Sequence, residues 1–210
     1  MTETAALAQG AEALGLSLAP AVLDRLSAYA RLLLKWNRVY NLTSIRDPSE
    51  VVSHHLLDSL SVLPWLGSID HLADVGSGGG LPGIPLAIAR PDLQVVSIEA
   101  VGKKASFQQQ ARIELGLDNF LPVHGRIEDQ AAGGFDGVIS RAFAELGDFV
   151  RVAGHLLAPG GRMLAMKGVL PAGELAALPP GMAVERTVEL HVPSLAAARH
   201  LIILKPDGAA

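Results

Sequence analysis

Asp74-Val75-Gly76-Ser77-Gly78-Gly79-Gly80-Leu81-Pro82-Gly83 is the stretch that decides the fold. The apolar run His71–Val75 leads into it as a buried strand, and Gly83–Arg90 leaves it as a helix. A glycine-rich turn from strand to helix is where an open α/β sheet holds its ligand. Glycine is needed there because the backbone turns sharply and approaches the ligand with no Cβ in between. The helix start at Gly83 also offers N–H groups to an anion, and the carboxylate of a bound amino acid would serve as well as a phosphate. Without a ligand, five glycines between Gly76 and Gly83 would weaken the fold with no return.

Outward from this loop, short apolar runs alternate with helical stretches. Gln94–Glu99, Phe120–His124, Gly137–Ser140 and Gly161–Lys167 read as strands, and Lys103–Leu115 (ended by Gly116) and Leu146–Leu157 as helices. This β-α-β-α order predicts a mostly parallel, doubly wound sheet. Val184–Leu190 and His200–Leu204 read as an antiparallel strand pair at its edge. Upstream, Thr4–Leu14 forms a helix stopped by Gly15, a longer helix starts near Pro20, and a third runs from Ser49 to Leu63. The expected organisation is a helical extension over residues 1–66 packed on an α/β domain over residues 67–210, as one compact unit.

Composition narrows the functions. Half of the 210 residues are hydrophobic and 18% are charged, which calls for a packed core. The absence of cysteine excludes disulfides, thiolate nucleophiles and zinc–thiolate sites, and no metal site is expected. No apolar stretch approaches the roughly 18 residues needed to cross a bilayer, and the N-terminus lacks the pattern of a secretory signal. A cytoplasmic monomer with no membrane partner is the expectation. The net charge of −4 argues against indiscriminate coating of nucleic acid. One segment departs from that balance: between Asp24 and Asp47 stand Arg25, Arg31, Lys35, Arg38 and Arg46, with no carboxylate among them.

Two cofactor classes compete for the loop. Gly78, Gly80 and Gly83 have the G-x-G-x-x-G spacing of dinucleotide folds, which alone is a weak signal and points to a nicotinamide-dependent oxidoreductase. Counted from Gly76, which ends the strand, the third glycine position falls on Leu81 and the pattern fails. An acid two residues before G-x-G-x-G fits without adjustment as Asp74, Gly76, Gly78 and Gly80, the pattern of S-adenosylmethionine methyltransferases. Glu99 ends the second strand, where an acid accepts hydrogen bonds from ribose hydroxyls in either class. Ala158-Pro159-Gly160-Gly161-Arg162 ahead of the fifth strand and the antiparallel pair after it favour the methyltransferase. The fold expected is thus the Rossmann-like class I S-adenosylmethionine-dependent methyltransferase fold.

Further motifs carry a resemblance. Asn37-Arg38-Val39-Tyr40-Asn41-Leu42-Thr43, His55-Leu56-Leu57-Asp58-Ser59 and Gly76 through Pro85 closely resemble the bacterial RsmG (GidB) family of ribosomal small-subunit methyltransferases. The likeness continues through Gly102-Lys103-Lys104, Ser140-Arg141-Ala142-Phe143, Lys167-Gly168 and Arg199-His200-Leu201, covering nearly the whole chain in order. It implies methyl transfer to N7 of a guanine in a decoding-region loop of 16S ribosomal RNA, either free or within the small ribosomal subunit. It also implies cofactor contacts at Gly76 and Leu81, with Ile127 and Glu128 beside the adenine and Arg141 after the fourth strand. Many members of the family have arginine before the motif histidine, where this chain has His54. A phosphate contact there would be weaker and more pH-dependent.

Guanine N7 carries a free lone pair, so no general base is expected and no catalytic residue is assigned; Arg141 is the candidate for orienting the reactants. A-form RNA closes its major groove to side chains, so the target must be unpaired or extruded, and Phe143 is the aromatic to watch. Arg31, Lys35 and Arg38 form a helical stripe which, with Arg46, is a candidate phosphate track or simply a solvated face. Asn41, His55, Lys167 and Arg199 are the other RNA-contact candidates; for Asn41 and His55, as for Asp58, capping and packing are equally open. A non-catalytic RNA-binding or ribosome-assembly module on the same fold is the remaining alternative.

Overall fold

A computed structural model describes residues 2–208. Helices α1 (Glu3–Ala13) and α2 (Pro20–Tyr40) come first, followed by α3 (Pro48–Val51), a π-helical segment over Val52–Leu57 and α4 (Asp58–Leu60). The α/β part then runs β1 (His71–Val75), α5 (Gly83–Ala89), β2 (Gln94–Glu99), α6 (Gly102–Leu115), β3 (Phe120–His124), β4 (Phe135–Ser140), α7 (Leu146–Ala153), β5 (Leu157–Lys167), α8 (Ala172–Ala176), β6 (Met182–Glu189) and β7 (His200–Pro206). The sheet order is β3-β2-β1-β4-β5-β7-β6. β1 to β5 pair in parallel, while β7 runs antiparallel to both of its neighbours. Among the described residues, no helix is long and apolar enough to cross a membrane.

Strand alternation explains how one sheet builds two cores, because successive side chains leave a strand on opposite faces. Leu72, Ile139, Leu164, Leu201 and Ile203 point to one face, and Ala73, Val138, Met163, Ala165, Ile202 and Leu204 to the other. The first face is covered by α5 and α6 and then by the N-terminal helices, through Leu7, Leu26, Tyr29 and Leu33. The second face is covered by α7, through Leu146, Phe149 and Ala153. The helices before β1 therefore complete a core that the sheet opens on one side. β1 lies between β2 and β4, so the chain leaves it in opposite directions and a crevice opens at its carboxyl end.

Beyond shifts of a residue or two at element ends, three features differ from expectation. The helix anticipated over Ser49–Leu63 is interrupted by the π-helical segment, whose wider turn accommodates an extra residue. The helix expected to reach Leu157 stops at Ala153, and β5 already begins at Leu157. Ala158–Gly161 is therefore an irregularity inside β5 rather than a loop before it: the register steps from Phe135–Leu157 to Gly137–Arg162. Gly161 permits this, since a Cβ there would lie 2.9 to 3.1 Å from the carbonyl oxygens of Phe135, Ala158 and Asp136.

Candidate functional site

The loop after β1 has Gly76, Gly78 and Gly80 at φ of +67°, +60° and +82°, a region that side chains strain to enter. It is held from behind by buried polar groups. Tyr29 on α2 donates its hydroxyl to Gly79 O at 2.7 Å. Gln108 on α6 donates to Gly78 O at 2.8 Å and to Ser77 Oγ at 2.7 Å, and Ser97 on β2 donates to Ser77 Oγ at 2.6 Å. All three side chains are fully buried, and burial raises the Tyr29 hydroxyl well above its ordinary pKa. None of them stands out as functional in the sequence. Their one local signal is a polar group on a face of otherwise core-directed residues.

Asp74 does not face the crevice. It is fully buried, and its Oδ2 accepts the Gly83 N–H at 2.8 Å. A Cβ on Gly83 would lie 2.6 Å from that oxygen, so glycine is what lets the carboxylate close on the start of α5. This differs from two expectations: Asp74 lies behind the loop with no surface exposed to a ligand, and the Gly83 N–H is already taken. Desolvation pushes the Asp74 carboxyl up to about 7, against the Gly83 hydrogen bond and the charge of Arg141, which pull it down. Leu81 is likewise turned inward. Its side chain lies in the core and its N–H donates to Ser77 O at 2.9 Å.

Glu99 closes the other side of the crevice. Its Oε2 accepts from Gly78 N at 2.8 Å and its Oε1 from Val101 N at 2.8 Å, tying together the loops after β1 and β2. Each carboxylate oxygen keeps a further lone pair for a ligand hydroxyl. Gly125 after β3 donates its N–H to Glu99 O at 3.1 Å, which brings the following bend to the same edge. There Ile127 is partly buried and Glu128 exposed. Beside Gly78 a Cβ would meet nothing within 4 Å, so the backbone is open to a ligand. Bare backbone, a carboxylate suited to paired hydroxyls and an apolar side chain suited to a flat ring fit a nucleoside bearing an amino-acid tail.

β4 delivers the next part of the site. Ser140 Oγ donates to Val75 O at 2.8 Å and accepts the Ala142 N–H at 3.0 Å, fixing the chain that carries Arg141 to the end of β1. Ala142 packs so closely that a Cβ on Gly76 would lie 2.9 Å from its own. Arg141 lines a neighbouring cavity of about 330 Å³. Its Nη1 donates to Asp58 Oδ2 at 2.8 Å and to His54 O at 3.4 Å. Arg199, at the start of β7, donates Nε to the other Asp58 oxygen at 2.9 Å. Asp58, with a side chain only 4% exposed, thus holds two guanidinium groups.

Several predicted RNA contacts are engaged inside the protein. His55 is buried, with Nδ1 against His54 O at 3.0 Å and Nε2 against Thr43 Oγ1 at 2.8 Å. A carbonyl can only accept, so Nδ1 carries the proton and the Thr43 hydroxyl donates to Nε2. Burial, helped by the nearby Arg141 charge, lowers its pKa to about 4. His55 is therefore a neutral strut at pH 7. Lys167 donates to Glu174 at 2.9 Å and to the carbonyls of Phe143 and Ala144; its charge serves to hold the Arg141 loop to α8. Phe143 packs on Phe149 with ring centroids 5.2 Å apart, so it is not a free stacking platform. Asn41 is exposed and ends α2 in the left-handed conformation, φ +49°. The buried Asn37 shapes the following loop, donating to Ile45 O at 3.1 Å and accepting from Thr43 N at 2.9 Å.

Arg31, Lys35, Arg38 and Arg46 are all exposed. Among the described residues, none of the four pairs with a carboxylate. Arg38 and Arg46 border one groove, together with Leu34, Asn37 and Pro48. The stripe is separate from the Asp58 cavity, whose lining includes none of these four cations.

An all-parallel dinucleotide sheet would not carry an antiparallel β7 between β5 and β6. With that strand in place and the loop pattern starting at Gly76, the molecule is an S-adenosylmethionine-dependent methyltransferase of the class I fold. Solved structures agree on the fold. TrmN from Thermus thermophilus superposes with a TM-score of 0.58 at 20% identity, over 71% of this chain and 48% of that one. A SAM-dependent methyltransferase from Aquifex aeolicus gives 0.59 at 17% identity, over 78% and 96%. The family model GidB, described as rRNA small subunit methyltransferase G, matches residues 22–202, and the chain belongs to that family. Relatives called ribosomal RNA small subunit methyltransferase G include one from Aromatoleum aromaticum, 64% identical over 96% of this chain and 98% of its own. Another, from Azoarcus sp., is 60% identical over 94% of each chain.

The Asp74 environment makes a stability prediction. Its carboxyl titrates at about 7 in the folded protein against 3.8 for the unperturbed group, so between those values the native state holds a proton that the unfolded chain has released. That contribution to stability is present at low pH and is lost as pH rises towards 7. Asp74→Asn has no such group. Its unfolding free energy relative to wild type should therefore improve between about pH 4 and pH 7 and level off above that in urea titrations, and parallel curves for the two proteins would refute this assignment.

Proposed function

We propose that this protein transfers a methyl group from S-adenosylmethionine to N7 of a guanine in 16S ribosomal RNA. The observation that carries the reading is the junction at Arg141: one short segment packs Ala142 on the glycine edge and sends a guanidinium into an adjoining cationic cavity. A cofactor edge and an anion-attracting pocket are thereby built side by side. Family membership supports ribosomal RNA as the substrate. The dinucleotide alternative has no support left once the strand order is known, and a purely non-catalytic role would leave the glycine edge without use.

In this reading, Gly76 and Gly78 lie along the cofactor, Leu81 contributes only main chain, and Glu99 accepts from the ribose hydroxyls. Ile127 and Glu128 flank the adenine. When bound, the cofactor would supply a methyl group on a sulfonium, whose S–C bond would break to leave S-adenosylhomocysteine as the free lone pair of guanine N7 took the methyl without prior deprotonation. No residue needs to act as a base. The protein contributes orientation, where effective molarities of roughly 10⁵ to 10⁸ M are attainable. Arg141 orients the reactants, and its hydrogen bonds to Asp58 and His54 set its direction before substrate arrives. Arg31, Lys35, Arg38 and Arg46 form the phosphate track outside the pocket, while His55 and Lys167 shape the pocket instead of touching RNA. We read residues 1–66 as an extension of the methyltransferase domain at 67–210, acting as a cytoplasmic monomer on RNA of the small subunit.

Three outcomes are expected. Radiolabelled methyl groups should enter 16S RNA when the protein is incubated with small subunits from cells lacking it; absence of label would sink the catalytic reading. Glu99→Ala should weaken S-adenosylhomocysteine binding in calorimetry by about 1–3 kcal/mol, through unpaired ribose hydroxyls and a slackened Gly78 N–H; an unchanged affinity would exclude the role. Replacing Arg31, Lys35 and Arg38 together with glutamine should weaken RNA binding and flatten its salt dependence, with cofactor affinity unaltered.

A further inference from the structure

One carboxylate needs one cation. Asp58 has two, Arg141 and Arg199, drawn from positions 83 and 141 residues away along the chain. Among the described residues, it is the only carboxylate lining the cavity. Lys167, at the same wall, is neutralised by Glu174, and His55 is held neutral. The balance is two guanidinium charges against one carboxylate, leaving one positive charge in a pocket of about 330 Å³. A structural ion pair with Asp58 needs only one of these cations, and both arginine side chains keep 24% exposure where they line the cavity. Such a pocket is built for a monoanion.

The donor geometry narrows the ligand further. Arg199 commits Nε to Asp58 and Nη1 to Ala198 O, while Arg141 commits only Nη1. The remaining N–H groups, on Nη2 of Arg199 and on Nε and Nη2 of Arg141, have no protein partner among the described residues. Two planar guanidiniums anchored on one carboxylate, each with free donors, match the oxygens of a tetrahedral oxyanion. We propose that Asp58 is a positioning residue that sets Arg141 and Arg199 as a fork for one phosphodiester of the RNA, the one adjoining the methylated nucleotide. The fork anchors the sugar–phosphate chain in the cavity while the base lies against the glycine edge beyond Ala142. This rests on the reading of the chain as an RNA methyltransferase.

The test uses the full-length protein and unmethylated small ribosomal subunits, with kcat and KM measured over a range of KCl concentrations and S-adenosylhomocysteine affinity measured in parallel. Arg199→Gln should raise KM for subunits by about 10-fold or more, the value of a charged hydrogen bond. The slope of log(kcat/KM) against log[salt] should fall by about 0.7, one single-stranded phosphate contact. Arg199→Lys should restore the slope, since the charge is kept, but not the KM, since the fork is lost. Asp58→Asn should keep the slope while raising KM for subunits, a change that simple loss of folded protein, which lowers apparent kcat at unchanged KM, does not produce. Wild-type KM and slope in Arg199→Gln would overturn the proposal. So would a loss confined to S-adenosylhomocysteine affinity, which would make the cofactor carboxylate the anion. If wild-type protein left the subunits unmethylated, the broader reading would fail first, and visibly so, before any variant was compared.

Discussion

Everything at this site depends on keeping a left-handed glycine turn half buried. Gly76, Gly78 and Gly80 turn the backbone in ways other residues resist, and a buried peptide group without a partner costs about as much as a lost hydrogen bond. The loop solves this on its inner side with side chains instead of regular structure. Tyr29, Gln108 and Glu99 take up Gly79 O, Gly78 O and Gly78 N, and Asp74 takes the first N–H of α5. Only the outer side is then left for a ligand. The cofactor edge is thus the exposed half of a hydrogen-bonded network whose other half lies in the core.

That arrangement explains why the N-terminal helices belong to the functional unit. Tyr29 reaches the loop from α2, across 50 residues of chain, and the same helix completes the hydrophobic face shared by α5 and α6. The π-helical segment makes the second connection. By breaking the regular hydrogen-bond ladder it leaves the His54 carbonyl to accept from both the His55 ring and Arg141. Asp58 follows immediately, at the first position of α4. One irregular helix thereby fixes the guanidinium that joins the two halves of the site.

Local order is readable in the sequence where local chemistry decides it. The bounds of β1, β2 and β3, the glycine turn, Gly116 at the end of α6 and the antiparallel final pair all follow from apolar runs and turn residues. The π-helical segment and the irregularity in β5 are not readable, because a helical period looks the same with one residue inserted and Gly160-Gly161 reads equally as a loop. Nor can the sequence show which side of a residue faces the ligand. Asp74 fits its motif position and still turns inward. Asp58 offers only a motif position; its two arginines lie 83 and 141 residues away, and no periodicity links them.

The same distinction sorts the cations. His55, Lys167 and Arg199 occupy family-motif positions, yet the first is neutral and the second is paired with Glu174. Matching a motif therefore selects residues that build the pocket more often than residues left free to touch RNA. The four exposed cations on and after α2 show the reverse: no carboxylate among the described residues balances them, on a chain whose net charge is −4. Exposed, unpaired charge acts over a Debye length of about 8 Å at physiological salt and is readily screened, which suits capture of an extended polyanion. Charge held by Asp58 in a cavity is screened far less and is fixed in direction, which suits alignment of a single group. On the proposed reading, the molecule separates attraction from alignment by where it places its arginines, and Arg141, tied to Asp58 beside the glycine edge, stands where alignment is needed.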